Sequence, residues 1–264
     1  NKSPVQGMSE NLNIEFRTPS SLKNNNEEYE YLKNLEADIA IVVAYGQIIP
    51  KEILSLTKKG FINIHASLLP KWRGAAPIQR SIMSLEKKTG ISIMKINEDL
   101  DTGPICNSYE IDILANDNAE TLSVKLSSLA SEKILKNIDN IFDEKVKFKD
   151  QLHKEATYAD KIEKFEGKID WDNSADEIIG KINGLYPSPG AWFIYKGERY
   201  KILKANLGNG TGNAGDILND HLEICCDNNS IKVLEIQREG KRPQNINEFM
   251  LGSKIKKGSN IKDA

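Results

Sequence analysis

The sequence predicts an α/β fold, with an open, partly parallel sheet in the first half of the chain and a smaller β-rich domain after it. Two observations support this prediction. Apolar, strand-like runs alternate with helical patterns up to about residue 142, which is the order expected for a sheet flanked by helices. Beyond residue 185, short strand-like stretches follow one another between Gly, Asn and Asp turns.

The first strand is predicted over Ala37–Ala44, where "ADIAIVVA" is a continuous run of the kind that is buried on both faces of a parallel sheet. A helix with Asn26 as its cap candidate precedes this strand, and a short helix opened by Pro50 follows it. The remaining predictions for this half are strands at 60–65, 89–96 and 105–113, a helix from Pro77, and a long helix at 119–142 capped by Asn118.

The domain organisation follows from a change in composition. Residues 154–172 are charged and non-repetitive, which predicts a linker between a first domain at 1–153 and a second at 173–264. Ligands of open α/β sheets bind beyond the carboxyl ends of strands. The stretches after the strands, at 44–46 and 65–69, are therefore candidate site positions.

Composition limits the classes of function. The 264 residues carry a net charge of −2, so any nucleic-acid-binding patch must be local. The three cysteines are an odd number without C-x-x-C spacing, which favours a reducing, cytoplasmic compartment over a disulfide framework or a zinc site. We expect no signal peptide and no membrane span. The chain opens in polar sequence without Met, so residue 1 is not expected to be the natural start.

Asn63 and His65 stand at alternate positions at the end of a predicted apolar strand, so both side chains lie on one face. Such a pair can be a hydrogen-bonded core pair, which is the commoner case, or a neutral donor beside a titratable group. The following loop, "SLLPKWRG", is bounded by Pro and Gly at the strand end, where a ligand would lie. That position favours the reactive interpretation.

Asp101 begins the turn "DTGP", in which Gly103 permits positive φ and Pro104 fixes the next position. The carboxylate either caps this turn or lies beside His65, where it would orient the imidazole and favour its protonated form. Asn, His and Asp together would suit acyl transfer to an amine, with two donors for the developing oxyanion.

Two other stretches have features of binding sites. "GTGNAG" at 210–215 has the spacing of a dinucleotide loop, but a strand is predicted after it where a helix is needed, so we interpret it as a connector. Basic residues accumulate near the C-terminus and could form a phosphate-contacting face. They are Lys241, Arg242, Lys254, Lys256, Lys257 and Lys262.

With these residues in view, the chain resembles the methionyl-tRNA formyltransferases over nearly its whole length. "VVAYGQIIP", "INIHASLLPKWRGAAPIQRSI", "TGISIMKINEDLDTGPI" and "KIDW" resemble family segments. The pattern N-x-H-x-S-L-L-P with D-T-G is shared by a wider group of formyltetrahydrofolate-using enzymes. "WRGAAPIQ" and the late "IQREGKR" are more specific to the tRNA enzymes.

The resemblance implies a Rossmann-like catalytic domain and an OB-like, tRNA-binding β-barrel. It implies formyl transfer from 10-formyltetrahydrofolate to the amino group of methionyl initiator tRNA, for translation initiation in the cytoplasm. The family's catalytic Asn, His and Asp fall on Asn63, His65 and Asp101. Its folate-contacting positions fall on Ser67, Leu68, Leu69 and Pro70. A monomer is expected, with tRNA and folate as partners and no metal.

One departure from the family pattern affects these expectations. The family begins with a strand, a glycine-containing loop, a helix, a second strand and a basic loop, whereas this chain begins near the end of that basic loop. We therefore expect an incomplete sheet without its first strands, and exposed apolar edges. Two rival functions remain: a related folate enzyme that acts on a small amine or hydrolyses the donor, and a catalytically inactive tRNA-binding fragment.

Overall fold

The computed structural model describes residues 2–263. Its helices are α1 Pro4–Asn11, α2 Asn26–Asn34, α3 Lys51–Leu54, α4 Pro77–Met83, α5 Ala119–Phe142, α6 Ala175–Gly184 and α7 Ile246–Leu251, with 3-10 turns at His153–Glu155, Lys164–Gly167 and Ile261–Asp263. Its strands are β1 Ala40–Val42, β2 Phe61–His65, β3 Arg73–Gly74, β4 Lys88–Lys95, β5 Ile105–Asp112, β6 Tyr158–Ala159, β7 Ala191–Tyr195, β8 Glu198–Gly208, β9 Glu223–Cys225, β10 Ser230–Arg238 and β11 Gln244–Asn245.

The first sheet has the strand order β1-β2-β4-β5. β1 and β2 are parallel, whereas β4 runs antiparallel to both β2 and β5. The predicted parallel members are thus confined to one pair. The connection 96–104 between β4 and β5 is too short for a crossover, which needs about a dozen residues or more, so these two strands must be antiparallel. β1 is also shorter than predicted and lies at the sheet edge, where Ile41 and Val43 are exposed.

α5 packs on the first sheet, and it begins at the predicted position, after Asn118. The Asn118 side chain accepts a hydrogen bond from the Thr121 backbone N–H at 2.9 Å, and the Thr121 hydroxyl accepts one from the Asn118 N–H at 3.0 Å. This reciprocal capping box satisfies two N–H groups that a helix start leaves free. Leu122 and Leu126 then pack with Ile64 and Ile91 in one core cluster. By contrast, the cap of α2 is Asn25 and not the predicted Asn26.

The second domain is built on an antiparallel sheet with the order β11-β10-β8-β7, and β9 pairs with β10. Register shifts between Val233 and Ile236 in β10 give the curvature that bulges produce. Within the described part of this domain, these strand pairs form an open, curled sheet, and α6 and α7 close the core on it. Trp171, from the charged segment before α6, lies edge-on against Phe193 in this core.

The two domains meet where α4 packs on α6. Gly180 and Gly184 lie one turn apart on α6, and side chains at these positions would collide with Leu85 and Met83 after and within α4. Their lack of a Cβ therefore permits the close approach. Within the described residues, no helix is both long and apolar enough to span a membrane.

Candidate active site

The candidate site begins at the carboxyl end of β2. Asn63 and His65 project from one face of this strand, while Ile62 and Ile64 fill two core clusters behind it. β1 and β4 flank β2 on its two sides, so its backbone position is fixed by hydrogen bonds along both edges. His65 is only 6% exposed. The predicted alternation is confirmed in the backbone geometry of the strand.

Asp101 reaches this strand end from the loop between β4 and β5. Its backbone is left-handed, with φ at 50°, and this conformation turns the carboxylate towards β2. Oδ1 lies 3.5 Å from Asn63 Nδ2, and Oδ2 lies 3.6 Å from His65 Nδ1. The Asn63 amide nitrogen, a ring nitrogen of His65 and one carboxylate thus converge on a common point, although the three residues are separated along the chain.

The loop after β2 closes the other side of His65. The His65 Nε2 atom lies 2.9 Å from the carbonyl oxygen of Trp72. A carbonyl only accepts hydrogen bonds, so Nε2 carries a proton in this arrangement and the ring presents Nδ1 to Asp101. The backbone N–H of Gly74 donates to Asp101 Oδ2 at 2.9 Å. Sequence reasoning missed both backbone contacts, because they depend on the path of the loop and not on residue type.

The four predicted folate-contacting residues occupy the start of this loop. Ser67 is fully buried, and its hydroxyl donates to the carbonyl of Lys71 at 2.6 Å. The Ser92 hydroxyl of β4 accepts from the backbone N–H of Leu69 at 3.0 Å and donates to the Ser67 carbonyl at 2.8 Å. Leu69 is buried, whereas Leu68 and Pro70 are partly exposed. The geometry shows a loop anchored to β4, and folate contact by Ser67, Leu68, Leu69 and Pro70 stays a prediction.

A basic cleft of about 510 Å³ lies next to this loop, between the two domains. Ala75 and Ala76, which directly follow the loop after β2, line one side of it. Its cationic residues are Lys161, Lys164, Arg199 and Lys201. Arg199 stacks on the ring of Trp192 at 4.3 Å and pairs with Glu239 at 3.6 Å. The other three make no ion pair with any described residue, so the cleft lining carries positive charge that no ion pair offsets, although the net charge of the whole chain is −2.

The remaining sequence features have structural explanations. "GTGNAG" forms a turn between β8 and β9 and is not followed by a helix, as the connector interpretation predicted. Cys225 and Cys226 are both buried, and burial raises the pKa of the Cys226 thiol to about 12, which makes it unreactive near neutral pH. Across residues 2–263, no three His, Cys, Asp or Glu side chains are grouped closely enough to hold a metal ion.

Sequence comparisons bear directly on this geometry. The formyl transferase family matches residues 1–138, and the family of formyl transferase C-terminal domains matches residues 161–254. The methionyl-tRNA formyltransferase of Pelagibacter ubique is 68% identical over 262 residues, which are 99% of this chain and 84% of that protein. The enzyme of the same name from Jannaschia sp. is 41% identical and is covered to the same 84%.

The chain belongs to the methionyl-tRNA formyltransferase family. The family resemblance stated from the motifs is thereby confirmed, and so is the fold class of a Rossmann-like formyltransferase domain followed by a smaller β domain.

Solved structures agree with this fold. HypX from Aquifex aeolicus, in complex with tetrahydrofolic acid, superposes with a TM-score of 0.66 at 19% identity, over 89% of this chain and 42% of that one. WlaRD, a sugar 3N-formyl transferase, superposes with a TM-score of 0.67 at 23% identity, over 91% of this chain and 83% of that one. At these identities the likeness concerns the fold alone.

Proposed function

We propose that this chain transfers a formyl group from 10-formyltetrahydrofolate to the amino group of methionine on initiator tRNA. The observation that carries the proposal is the convergence of Asn63, His65 and Asp101 at the end of β2. The tRNA enzymes that are 68% and 41% identical over almost the whole chain support the choice of acceptor. The tetrahydrofolate bound to the related fold of HypX supports a folate-type donor.

In this mechanism, Asn63 Nδ2 and the Nδ1–H of a His65 ring that is protonated on both nitrogens donate to the formyl oxygen, between the two atoms that now face Asp101 at 3.5 and 3.6 Å. Such donors stabilise the negative charge that develops on the oxygen as the amine attacks. The amine nitrogen forms a bond to the formyl carbon, and the carbonyl electrons return to break the bond between that carbon and the folate nitrogen. Asp101 takes the proton that the amine loses, and the departing folate nitrogen then receives it.

The loop after β2 orients these groups. The Trp72 carbonyl accepts from His65 Nε2 and fixes the plane of the imidazole. The Gly74 N–H donates to Asp101 Oδ2 and so fixes the orientation of the carboxylate. The other oxygen, Oδ1, remains near Asn63. In this proposal the partly exposed Leu68 and Pro70 line the folate site, and the buried Ser67 and Leu69 keep its wall in place.

The basic cleft is the proposed entry for the tRNA. Its cations lie beside Ala75 and Ala76, which are continuous with the loop after β2, so a phosphate backbone bound there brings its end close to β2. Lys and Arg side chains supply most of the affinity for phosphates. A second cleft, on the C-terminal domain, is lined by Lys241, Arg242 and Lys254 together with Glu198 and Glu248, and Arg238 there pairs with Glu198. Its lysines and Arg242 are further candidates for phosphate contacts.

The wider assignments follow from the same proposal. We assign the protein to the cytoplasm, because its substrate belongs to translation and its three cysteines are free thiols. A monomer is proposed, since all three reacting groups come from one chain. The proposed division into 1–153, 154–172 and 173–264 is supported by separate cores in the two halves. The charged segment also contributes Trp171 to the second core.

The test compares acceptors under one set of conditions. Labelled 10-formyltetrahydrofolate is incubated with methionyl initiator tRNA, with an amino-sugar nucleotide, or without an acceptor, and formyl transfer and donor hydrolysis are both followed. We expect kcat/KM for the tRNA to exceed that for the sugar by about 10²-fold or more. Equal use of the small amine, or hydrolysis alone, would support the rival folate enzyme. Tight tRNA binding without donor binding would support the inactive RNA-binding fragment.

A further inference from the structure

Arg73 and Gln151 form a buried polar pair beside the candidate site, and neither has an assigned role. Arg73 is 1% exposed and Gln151 is 6% exposed. The Gln151 side-chain oxygen accepts from Arg73 Nε at 3.1 Å and from Arg73 Nη2 at 2.8 Å. The Gln151 side-chain nitrogen donates to the carbonyl of Asp101 at 2.8 Å and to that of Gly103 at 2.7 Å. One amide therefore joins two loops.

These two loops are the ones that contact the reacting groups. Arg73 stands between Trp72, whose carbonyl bonds to His65, and Gly74, whose N–H bonds to Asp101. Gln151 holds the carbonyls on both sides of Thr102, in the segment where Asp101 has its left-handed backbone. A shift of either member would therefore change the position of Asp101 relative to His65.

The burial of Arg73 and its bonding to Gln151 place strict requirements on both side chains, which supports a specific role for the pair. A buried guanidinium is costly unless it is paired, yet no described carboxylate lies within ion-pair distance of Arg73. Its hydrogen bonds go instead to the amide oxygen of Gln151 and, at 3.4 Å, to the exposed His153. Only a side chain that accepts on one end and donates on the other can serve both Arg73 and the two carbonyls. Glutamine does this, whereas an ionised glutamate does not.

We infer that Arg73 and Gln151 are positioning residues that fix the Asp101 loop against the loop after β2, and so set the geometry of His65 and Asp101. This inference rests on the proposed function, because it assigns the pair a role in the same transfer. The pair acts through backbone groups, since Gln151 donates its hydrogen bonds to the carbonyls of Asp101 and Gly103. Misplacement of reacting groups by about 1 Å can lower a rate about 10²-fold.

The test uses Gln151→Ala, Gln151→Glu, Arg73→Lys and the double variant Arg73→Lys/Gln151→Ala, each measured as the full chain. Asn137→Ala is the matched control, because Asn137 is a similarly buried amide, at 5% exposure, that bonds Asn107, Tyr109 and the Lys133 carbonyl on α5. We expect kcat to fall about tenfold or more in both Gln151 variants, with the KM values for donor and tRNA within about threefold of the parent. Asn137→Ala should lower the melting temperature with kcat unchanged.

The glutamate variant separates positioning from charge pairing. If Gln151 serves only as a hydrogen-bond acceptor for the Arg73 guanidinium, Gln151→Glu should retain or improve activity, and that result would overturn the inference. The double variant should lose no more rate than the worse single variant, since both changes disrupt one unit. Multiplicative losses would also overturn it. If Gln151→Ala does not fold, Arg73→Lys and Gln151→Glu carry the same comparison.

A parallel measurement on His65→Gln distinguishes failure of this inference from failure of the proposed function. If His65→Gln loses transfer while the Gln151 variants behave like Asn137→Ala, the positioning role is wrong and the function stands. If His65→Gln transfers at the parent rate, the site assignment is wrong and the positioning role falls with it.

Discussion

The end of β2 and the basic cleft are linked through the loop after β2, which leads to Ala75 and Ala76, yet they are built in opposite ways. His65 is buried, and a backbone carbonyl and a backbone N–H group of the loop after β2 hold it and Asp101 in place. In the cleft, the side chains of Lys161, Lys164 and Arg199 are exposed and share a sign of charge. The first region depends on fixed geometry and the second on electrostatic attraction at the surface.

The difference indicates how each region should respond to change. A rigid, buried constellation loses rate when one atom is removed, because donors are useful only at the right position. An exposed set of cations loses affinity gradually, since each contributes an additive and salt-dependent part of phosphate binding. Substitutions at β2 should therefore act on kcat and leave tRNA affinity nearly intact, whereas substitutions in the cleft should do the reverse.

The largest expected effect is on the reacting groups. Asn63→Ala removes a donor to the developing oxyanion, and Asp101→Asn removes the carboxylate that faces His65. We expect kcat to fall about 10²-fold or more in each, measured in single-turnover formylation, with the tRNA dissociation constant within about twofold. If tRNA affinity fell in parallel with rate, the proposed division of roles would be wrong.

The next effect concerns the loop that carries Asp101. A Cβ at residue 103 would overlap the carbonyl oxygen of Lys95, which is backbone and cannot move aside. We expect Gly103→Ala to lower the free energy of unfolding by about 1–3 kcal/mol in urea titrations, and to lower kcat as well. Gly7→Ala is the matched control, since a Cβ there meets nothing within 4 Å in α1. Equal behaviour of the two variants would contradict the argument.

A smaller effect is expected in the cleft. Lys161→Glu and Lys164→Glu should each raise the KM for tRNA several-fold at physiological salt, with kcat at saturating tRNA nearly unchanged. The slope of log affinity against log salt should become shallower by about 0.7–0.9 for each lost phosphate contact. Lys147→Glu, an exposed charge change outside the cleft, serves as the comparison. A loss of affinity as large in Lys147→Glu would argue against a defined tRNA path.

Local patterns predicted some of this architecture, and long-range contacts explain what they missed. The alternation of Asn63 and His65 and the cap at Asn118 depend on neighbours in the chain, so both could be predicted from the sequence. The approach of Asp101 needed the resemblance to a family as well as its turn motif. Gln151 lies 78 residues from Arg73, in a stretch without periodicity, and nothing local indicates that the two side chains meet. Strand direction in the first sheet was likewise set by the connection at 96–104 and not by composition.

The smallest expected effect joins the two regions. Arg80 of α4 donates hydrogen bonds to Glu166 from Nη1 at 2.6 Å and from Nη2 at 3.1 Å. These bonds connect the charged segment beside the cleft to α4, the helix that follows the loop after β2. These hydrogen bonds hold the pKa of Glu166 below its ordinary value of 4.5. A carboxyl whose pKa is lowered on folding adds stability above its unfolded pKa, and this stability is lost as pH falls through the folded value.

Glu166→Gln should therefore cost about 1 kcal/mol at pH 7 and progressively less as the pH is lowered below 4.5, where the parent carboxyl also becomes neutral. Urea titrations of both proteins between about pH 3.5 and pH 7, on both sides of the ordinary pKa of 4.5, would measure this convergence. A difference that stayed constant with pH would mean that the pair acts by packing and not by charge. In that case the contact between the segment and α4 would resemble the buried strand end more than the electrostatic cleft.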